Sequence, residues 1–119
     1  MGVSLTVVSG STNLLRARHI LIEFHGWWPP SRRRVKRTKE EAYNMAVELR
    51  LRVLSGESFS DLARVHSSCP SSEDGGDLGP FLRGDMAPEF EEALLAVEPG
   101  EIAPIARTEF GYHVIQRLE

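Results

Sequence analysis

The apolar and polar positions of the chain change period along its length, and each period predicts a different element. Residues 16–24 are typical of a β-strand, with Ile20, Ile22 and Phe24 on one face and His19 and Leu21 on the other. Over residues 38–55 apolar side chains recur every three or four positions, and Thr38 followed by Glu41 is a capping box of the kind that begins a helix. The first half of the chain is therefore predicted to form a strand and then an amphipathic helix.

The second half predicts two shorter helices and the remaining strands. One helix is expected to begin near Ser58, and another near Pro88, where acidic residues in the first turn suit the helix dipole. Residues 102–107 and 111–117 have the composition of strands. Because strands and helices do not alternate as in βαβ units, we expect an α+β fold with a mostly antiparallel sheet.

The domain organisation is simple. Residues 1–15 are small, polar and weakly patterned, so we interpret them as a flexible N-terminal tail, and residues 16–119 as a single domain. Gly2 lies in a loose myristoylation pattern, but such short patterns often match by chance, and no apolar run approaches the roughly 20 residues of a membrane span. We expect no membrane association. A single cysteine suits a reducing compartment, which predicts a cytoplasmic or nuclear location.

The net charge of −3 conceals a bipolar distribution. Residues 16–52 contain ten Lys and Arg against four Glu, whereas residues 53–119 contain four Arg against thirteen acidic residues. The basic half includes the run Arg32-Arg33-Arg34, and arginine binds phosphate oxygens in pairs. The run is also compatible with a solvated basic loop, or with a nuclear-targeting or nucleic-acid-binding patch.

Residues 67–86, SSCPSSEDGGDLGPFLRGDM, are the most distinctive segment. Their glycines are so dense that we expect an ordered loop with one short strand, and such loops often hold functional side chains. The segment contains Cys69. A nucleophilic cysteine would need an activating base, and a zinc site would need further ligands at suitable spacing, which the sequence lacks. We therefore predict no metal.

Several segments together resemble the parvulin family of peptidyl-prolyl cis/trans isomerases. They are HILI from His19, GGDLGPF with the nearby RGDM, the helix FEEAL, and FGYH from Phe110, and the match spans residues 17–118. The resemblance implies a four-stranded, mostly antiparallel sheet surrounded by about three to four helices, as in parvulin/FKBP-like folds. It also implies an enzyme without cofactors that rotates X–Pro amides, for which the barrier is about 20 kcal/mol.

The resemblance also implies which residues form the site. The implied catalytic group is His19, Cys69, Thr108 and His113, and the implied proline pocket is Leu78, Met86 and Phe90. Taken individually, these apolar residues are more typical of a core, and a histidine in an apolar strand is usually a satisfied core residue. In the family, the matching His–Thr–His arrangement lies beneath the active site, and the cysteine is a polarisable group beside the reacting carbonyl.

Cys69 and the basic loop favour the phosphorylation-dependent, Pin-type branch, in which a basic loop after the first strand binds the phosphate on Ser or Thr before Pro. The implied phosphate ligands are Arg32, Arg33 and Arg34. Glu23 stands where that branch usually has a lysine, and Phe110 resembles the phosphate-indifferent branch. The adjacent Trp27-Trp28 pair does not have the spacing of a WW module.

We therefore expect a monomeric prolyl isomerase that acts on Pro-containing peptides and proteins and prefers phospho-Ser/Thr-Pro. Two alternatives remain open. One is a parvulin isomerase or chaperone without phosphate preference. The other is a nucleic-acid-binding module that uses the basic loop of residues 32–37, and its binding would weaken steeply with salt.

Overall fold

A computed structural model of the chain describes residues 14–25 and 36–119. The described residues form an α+β fold with one four-stranded antiparallel sheet and three α-helices, which confirms the predicted fold class. The strands are β1 (Leu14–Ile22), β2 (Asp77–Leu82), β3 (Ala106–Thr108) and β4 (Gly111–Arg117), and the helices are α1 (Lys39–Leu54), α2 (Phe59–His66) and α3 (Pro88–Leu95).

The strand order β2-β1-β4-β3 places β1 and β4, the first and last strands among the described residues, side by side in the middle of the sheet. β1 and β4 pair from Ala17 opposite Arg117 to Ile22 opposite Tyr112. In this register Leu21 lies opposite His113. The register therefore brings residues from the two ends of the domain to one place.

The two faces of the sheet carry separate apolar clusters. α1 and α2 pack on the face that contains Ile20, Ile22 and Val114. α3 packs on the opposite face, against Ala17 and Ile115. Because successive side chains of a strand point to opposite faces, the odd-numbered positions of β1, including position 19, face α3.

The helix starts follow the predicted capping residues. The Thr38 hydroxyl accepts a hydrogen bond from the Glu41 N–H at 3.0 Å, and the Glu41 carboxylate accepts one from the Thr38 N–H at 2.8 Å. Ser58 caps α2 by accepting from the Asp61 N–H at 3.2 Å. These bonds satisfy amide groups that have no partner within the helix. None of the helices in the described part of the chain has the length and apolar composition needed to cross a membrane.

Several predicted boundaries were wrong. β1 begins at Leu14, so Leu14 and Leu15, which the sequence placed in the tail, belong to the sheet and pair with Leu82 and Phe81 of β2. β3 is confined to three residues, and Ile102, predicted to begin a strand, makes only an isolated bridge with Gln116. The loop before β2 contains a short 3₁₀ helix, Pro70–Asp74, that the glycine content concealed.

The connection between β1 and α1 is closed at its base by two hydrogen bonds. The His25 N–H donates to the Arg37 carbonyl at 2.8 Å, and the Arg37 guanidinium donates to the Glu23 carbonyl at 2.9 Å. We call this pair of bonds the loop clasp. The predicted phosphate ligands Arg32, Arg33 and Arg34 lie between these ends, as does the Trp27-Trp28 pair, and all of them are outside the described residues. Gly2 is outside the described residues as well.

Candidate active site

Two histidines meet on the α3 face of the sheet. His19 of β1 and His113 of β4 have their Nδ1 atoms 3.0 Å apart, and their rings are stacked with centroids separated by 5.1 Å. Their exposed fractions are only 5% and 4%. The contact follows from the central pairing of β1 with β4, which sets position 19 beside position 113 on one face.

Thr108 extends this contact into a chain of three side chains. Its hydroxyl oxygen lies 2.6 Å from His113 Nε2 and also accepts the Phe110 N–H at 3.1 Å. Thr108 ends β3 and pairs with Gly111, so the tight turn between β3 and β4 holds the hydroxyl against the imidazole. The structure therefore brings together His19, Thr108 and His113, as the resemblance implied. The predicted order was wrong, because the two histidines contact each other directly and Thr108 lies at the end of the chain of side chains, beyond His113, and not between them.

The number of hydrogen-bond donors and acceptors in His19, His113 and Thr108 favours one arrangement of their protons. If the Thr108 hydroxyl donates to His113 Nε2, then His113 Nδ1 carries a proton and donates it to His19 Nδ1. The only group left over is His19 Nε2–H, which is buried with no hydrogen-bond partner among the described residues. The reverse arrangement leaves both His19 Nε2 and the Thr108 hydroxyl proton unsatisfied. The first arrangement is therefore preferred.

Both imidazoles are neutral at pH 7. Burial lowers the pKa of His19 to about 4, and burial together with the repulsion of a charged His19 lowers the pKa of His113 to about 3. A desolvated ring strongly disfavours the charged form, because its hydration is lost without a compensating anion. The pair therefore acts through neutral hydrogen bonds at physiological pH.

Phe90 of α3 stands edge-on against both histidines. Its ring centroid is 5.5 Å from that of His19 and 5.3 Å from that of His113, with interplanar angles of 78° and 85°. Phe90 is only 2% exposed, whereas Leu78 and Met86 are half-buried and pack against the same apolar cluster. The three predicted pocket residues thus share one cluster, but Phe90 has the burial of a core residue and not of a partly exposed pocket wall.

Cys69 lies in the loop that follows α2, which returns to β1 at Leu21, two positions from His19. It is a free, half-buried cysteine that immediately precedes the 3₁₀ helix. The loop is attached to β1 by Ser68, whose N–H donates to the Leu21 carbonyl at 2.8 Å, and by Ser67, whose hydroxyl accepts the Leu21 N–H at 2.9 Å. In the described part of the chain no three His, Cys, Asp or Glu side chains are grouped as metal ligands.

Ser67 is the residue of this region that the sequence did not single out. It is one of four polar or charged residues buried among those described, together with the two histidines and Thr108. A serine two positions before the cysteine was the available signal, but a Ser-Ser pair in a polar loop is too common to suggest a buried hydroxyl.

Gly76 allows the loop to return to β1 beside His19. The His19 N–H donates to the Gly76 carbonyl at 3.0 Å, and Gly76 has a φ of +87°. A Cβ atom at this position would lie 2.5 Å from the His19 carbonyl oxygen. Only glycine combines this backbone conformation with so close an approach.

An open depression of about 600 Å³ is separate from this cluster. Its lining residues are Arg16, Arg64, Glu73, Asp74, Asp77, Leu78 and Gly79. Arg16 donates to Asp77 at 2.6 Å, and this hydrogen bond lowers the pKa of the Asp77 carboxyl. The depression shares only Leu78 with the predicted proline pocket, so it does not coincide with the site.

The fold and the sequence together define the class of protein. A sequence model of the PPIC-type PPIase domain matches residues 4–119, which is nearly the whole chain. The chain belongs to this family and is a peptidyl-prolyl cis-trans isomerase of the parvulin type, as the sequence predicted.

Individual relatives support the assignment. The chain is 44% identical over 115 residues to the peptidyl-prolyl cis-trans isomerase Pin1 of Digitalis lanata, covering 90% of this chain and 98% of that protein. It is also 44% identical over 106 residues to the chaperone SurA of Aromatoleum aromaticum, but covers only 21% of that protein. Among solved structures, the solution structure of TbPIN1 superposes with a TM-score of 0.82 at 39% identity, covering 91% of this chain and 99% of that one.

Proposed function

We propose that this isomerase prefers X–Pro bonds in which X is phosphorylated Ser or Thr, and that it rotates the amide without a covalent intermediate. The observation that carries the phosphate preference is the position of the Arg32–Arg34 run. It lies in the connection between β1 and α1, beginning ten positions after the end of the strand that bears His19, and the loop clasp joins the two ends of that connection. Similarity to a Pin1-named isomerase over nearly the full length of both chains supports it further.

The chemistry of rotation assigns roles to the described residues. Twisting the X–Pro amide breaks its resonance, which requires about 20 kcal/mol in water, and an apolar surface for the ring helps to hold the twisted form. Leu78 and Met86 offer half-buried apolar surface for the proline ring. Cys69 supplies a weakly polar thiol beside the carbonyl. The neutral pair of His19 and His113 holds β1 and β4 together under the bound peptide and does not exchange protons with it.

A second candidate is a parvulin isomerase without phosphate preference. Phe110 favours it, because this residue is 45% exposed on the turn that holds Thr108 and offers an apolar surface next to the site. Glu23 favours it as well, because an acid at the base of the connection repels an anionic substrate. The similarity to SurA, a chaperone by name, is of the same percentage identity as the similarity to Pin1.

Matched peptides separate the two candidates. We would measure kcat/KM on pSer-Pro, Glu-Pro and Ala-Pro peptides for the unaltered protein and for the double variant Arg32→Ala with Arg33→Ala. Loss of charge-assisted contacts should lower kcat/KM for pSer-Pro by ~10- to 100-fold and leave Ala-Pro almost unchanged. Arg64→Ala, at an exposed arginine of α2, is the control and should change neither value.

Two outcomes would contradict the phosphate preference. One is an equal loss on pSer-Pro and Ala-Pro in the double variant. The other is an unaltered protein that turns over all three peptides with the same kcat/KM, which would support the second candidate. The monomeric state, the absence of nucleic-acid binding and the cytoplasmic or nuclear location remain predictions from the sequence.

A further inference from the structure

We propose that Ser67 is the positioning residue of Cys69, and that its hydroxyl fixes the height of the thiol above β1. The proposal rests on the role given to Cys69 under the proposed function. Ser67 is 5% exposed, and its oxygen accepts two backbone hydrogen bonds: from the Leu21 N–H at 2.9 Å and from the Cys69 N–H at 3.3 Å. One buried atom thus joins the strand of the histidine pair to the residue beside the reacting bond.

The need for this hydroxyl comes from the edge of β1. β2 stops pairing with β1 at Asp77 opposite Arg18, yet β1 continues to Ile22. Beyond Arg18 the backbone groups on that edge still require partners, because a buried N–H without one is costly. The returning loop supplies these partners in place of a strand.

The replacement partners follow one another along the edge. The Gly76 carbonyl accepts from His19, the Ser67 hydroxyl accepts from Leu21, and the Ser68 N–H donates to the Leu21 carbonyl. Only the second of these bonds uses a side chain. A side chain at position 67 without an acceptor would therefore leave the Leu21 N–H unpaired and release the Cys69 N–H at the same time.

Cys69 is held from both directions. Its N–H is fixed by Ser67, and its carbonyl accepts the Ser72 N–H at 2.9 Å, which begins the 3₁₀ helix. With the backbone fixed on each side, the thiol has little freedom beyond rotation about its own side-chain bond. Removal of the Ser67 acceptor frees one of the two sides, so the thiol should become more mobile and more accessible.

A pair of variants with the same shape tests the hydroxyl itself. Ser67→Thr keeps the acceptor and Ser67→Val replaces it with a methyl group, so the two differ in that one atom. Ser68→Ala is the control, because Ser68 takes part through its backbone N–H. The readouts are kcat and KM on an Ala-Pro peptide and the rate of thiol alkylation, which reports Cys69 alone because the chain has a single cysteine.

Relative to Ser67→Thr, we expect the thiol of Ser67→Val to be alkylated ~3- to 10-fold faster. We also expect its kcat to be about 10-fold lower and its KM to change less than ~2-fold, because a small displacement of a reacting group affects turnover more than binding. Ser68→Ala should match the unaltered protein. A folded Ser67→Val with the alkylation rate and kcat of Ser67→Thr would overturn the proposal. Faster alkylation with unchanged kcat would support the positioning and contradict only the role of Cys69.

Native-state hydrogen exchange keeps the proposal testable if Ser67→Val does not fold. In the unaltered protein the amides of Leu21 and Cys69 should both be protected, because both donate to the same buried oxygen. A Cys69 amide that exchanges as fast as the exposed amides of the same loop would show that Ser67 does not hold it, and would overturn the proposal.

Discussion

The Nδ1 atoms of His19 and His113 are separated by 3.0 Å inside the protein, with no anion beside them in the described structure to balance a charge on either ring. Two imidazolium rings at this distance would repel each other strongly in a medium of low dielectric constant. Contact and burial therefore act in the same direction and keep the pair neutral. The pair links β1 to β4, the two central strands of the sheet, through their side chains.

The stability of the protein should fall as the pH is lowered through the range in which free histidines titrate. The folded pKa values of His19 and His113, about 4 and about 3, lie below the ordinary value of 6.5, so between these limits the unfolded chain binds more protons. Each group then lowers the free energy of unfolding by up to about 1.4 kcal/mol per pH unit. We expect a loss of about 2–3 kcal/mol between pH 6 and pH 5 in urea titrations.

The matched control for this experiment is His25→Gln, which removes an exposed histidine that does not belong to the buried pair. A free energy of unfolding that stays constant from pH 7 to pH 5 in the unaltered protein would show that the buried pair is not held neutral.

Substitutions of Phe90 and Met86 should separate the core from the proline pocket. Phe90→Ala removes a buried ring and should cost ~3–5 kcal/mol of stability. Met86→Ala removes a half-buried side chain, so it should cost less than about 2 kcal/mol and lower kcat/KM on Ala-Pro in a folded protein. Urea unfolding and steady-state rates measure both effects. Undiminished kcat/KM in Met86→Ala would remove Met86 from the pocket.

Cys69→Asp and Cys69→Ala distinguish a polar neighbour of the carbonyl from a nucleophile. A carboxylate cannot replace an attacking thiolate, but it can partly replace a group that only tunes the electrostatics around a twisting amide. We expect Cys69→Asp to retain measurable isomerase activity and Cys69→Ala to lose more. Intact-mass measurement during turnover should show no adduct, and a covalent species on Cys69 would overturn the non-covalent mechanism.

Two glycines, Gly76 immediately before β2 and Gly79 within it, should respond very differently to substitution. Both have positive φ, +87° at Gly76 and +73° at Gly79, but a Cβ at Gly79 would meet open space whereas one at Gly76 would lie 2.5 Å from the His19 carbonyl. Gly79→Ala should therefore cost only the ~1–2 kcal/mol of a left-handed backbone. Gly76→Ala should cost on the order of 4 kcal/mol, because the displaced atom is backbone and cannot rotate away.

Thermal or urea unfolding of both variants tests this expectation. Equal losses for Gly76→Ala and Gly79→Ala would mean that the close approach to His19 is relieved by a small backbone movement.

The parts of the fold that depend on neighbouring residues could be predicted from the sequence. The capping box of Thr38 and the strand composition around His19 are local signals, and both elements are confirmed. The meeting of His19 with Thr108 and His113 was expected only through the family resemblance, since nothing near any of the three residues specifies the pairing of β1 with β4.

The features that the sequence did not predict depend on distant partners. Leu14 and Leu15 look like tail residues until β2, more than sixty positions later, supplies the strand with which they pair. The burial of Ser67 depends on where β2 stops along β1. The full burial of Phe90 depends on two histidines from other strands that close around its ring. No short stretch of sequence around these residues predicts any of these contacts.

The loop clasp has an evolutionary consequence. Because His25 and Arg37 meet at the base of the connection between β1 and α1, the sheet and the helix are held in place whatever lies between them. Lengthening a closed loop adds only about 0.6 kcal/mol for each doubling of its length. Insertions, deletions and changes of charge can therefore accumulate there without disturbing the scaffold. The connection can therefore differ in length and charge between homologous enzymes while the sheet and helix that it joins keep the same arrangement.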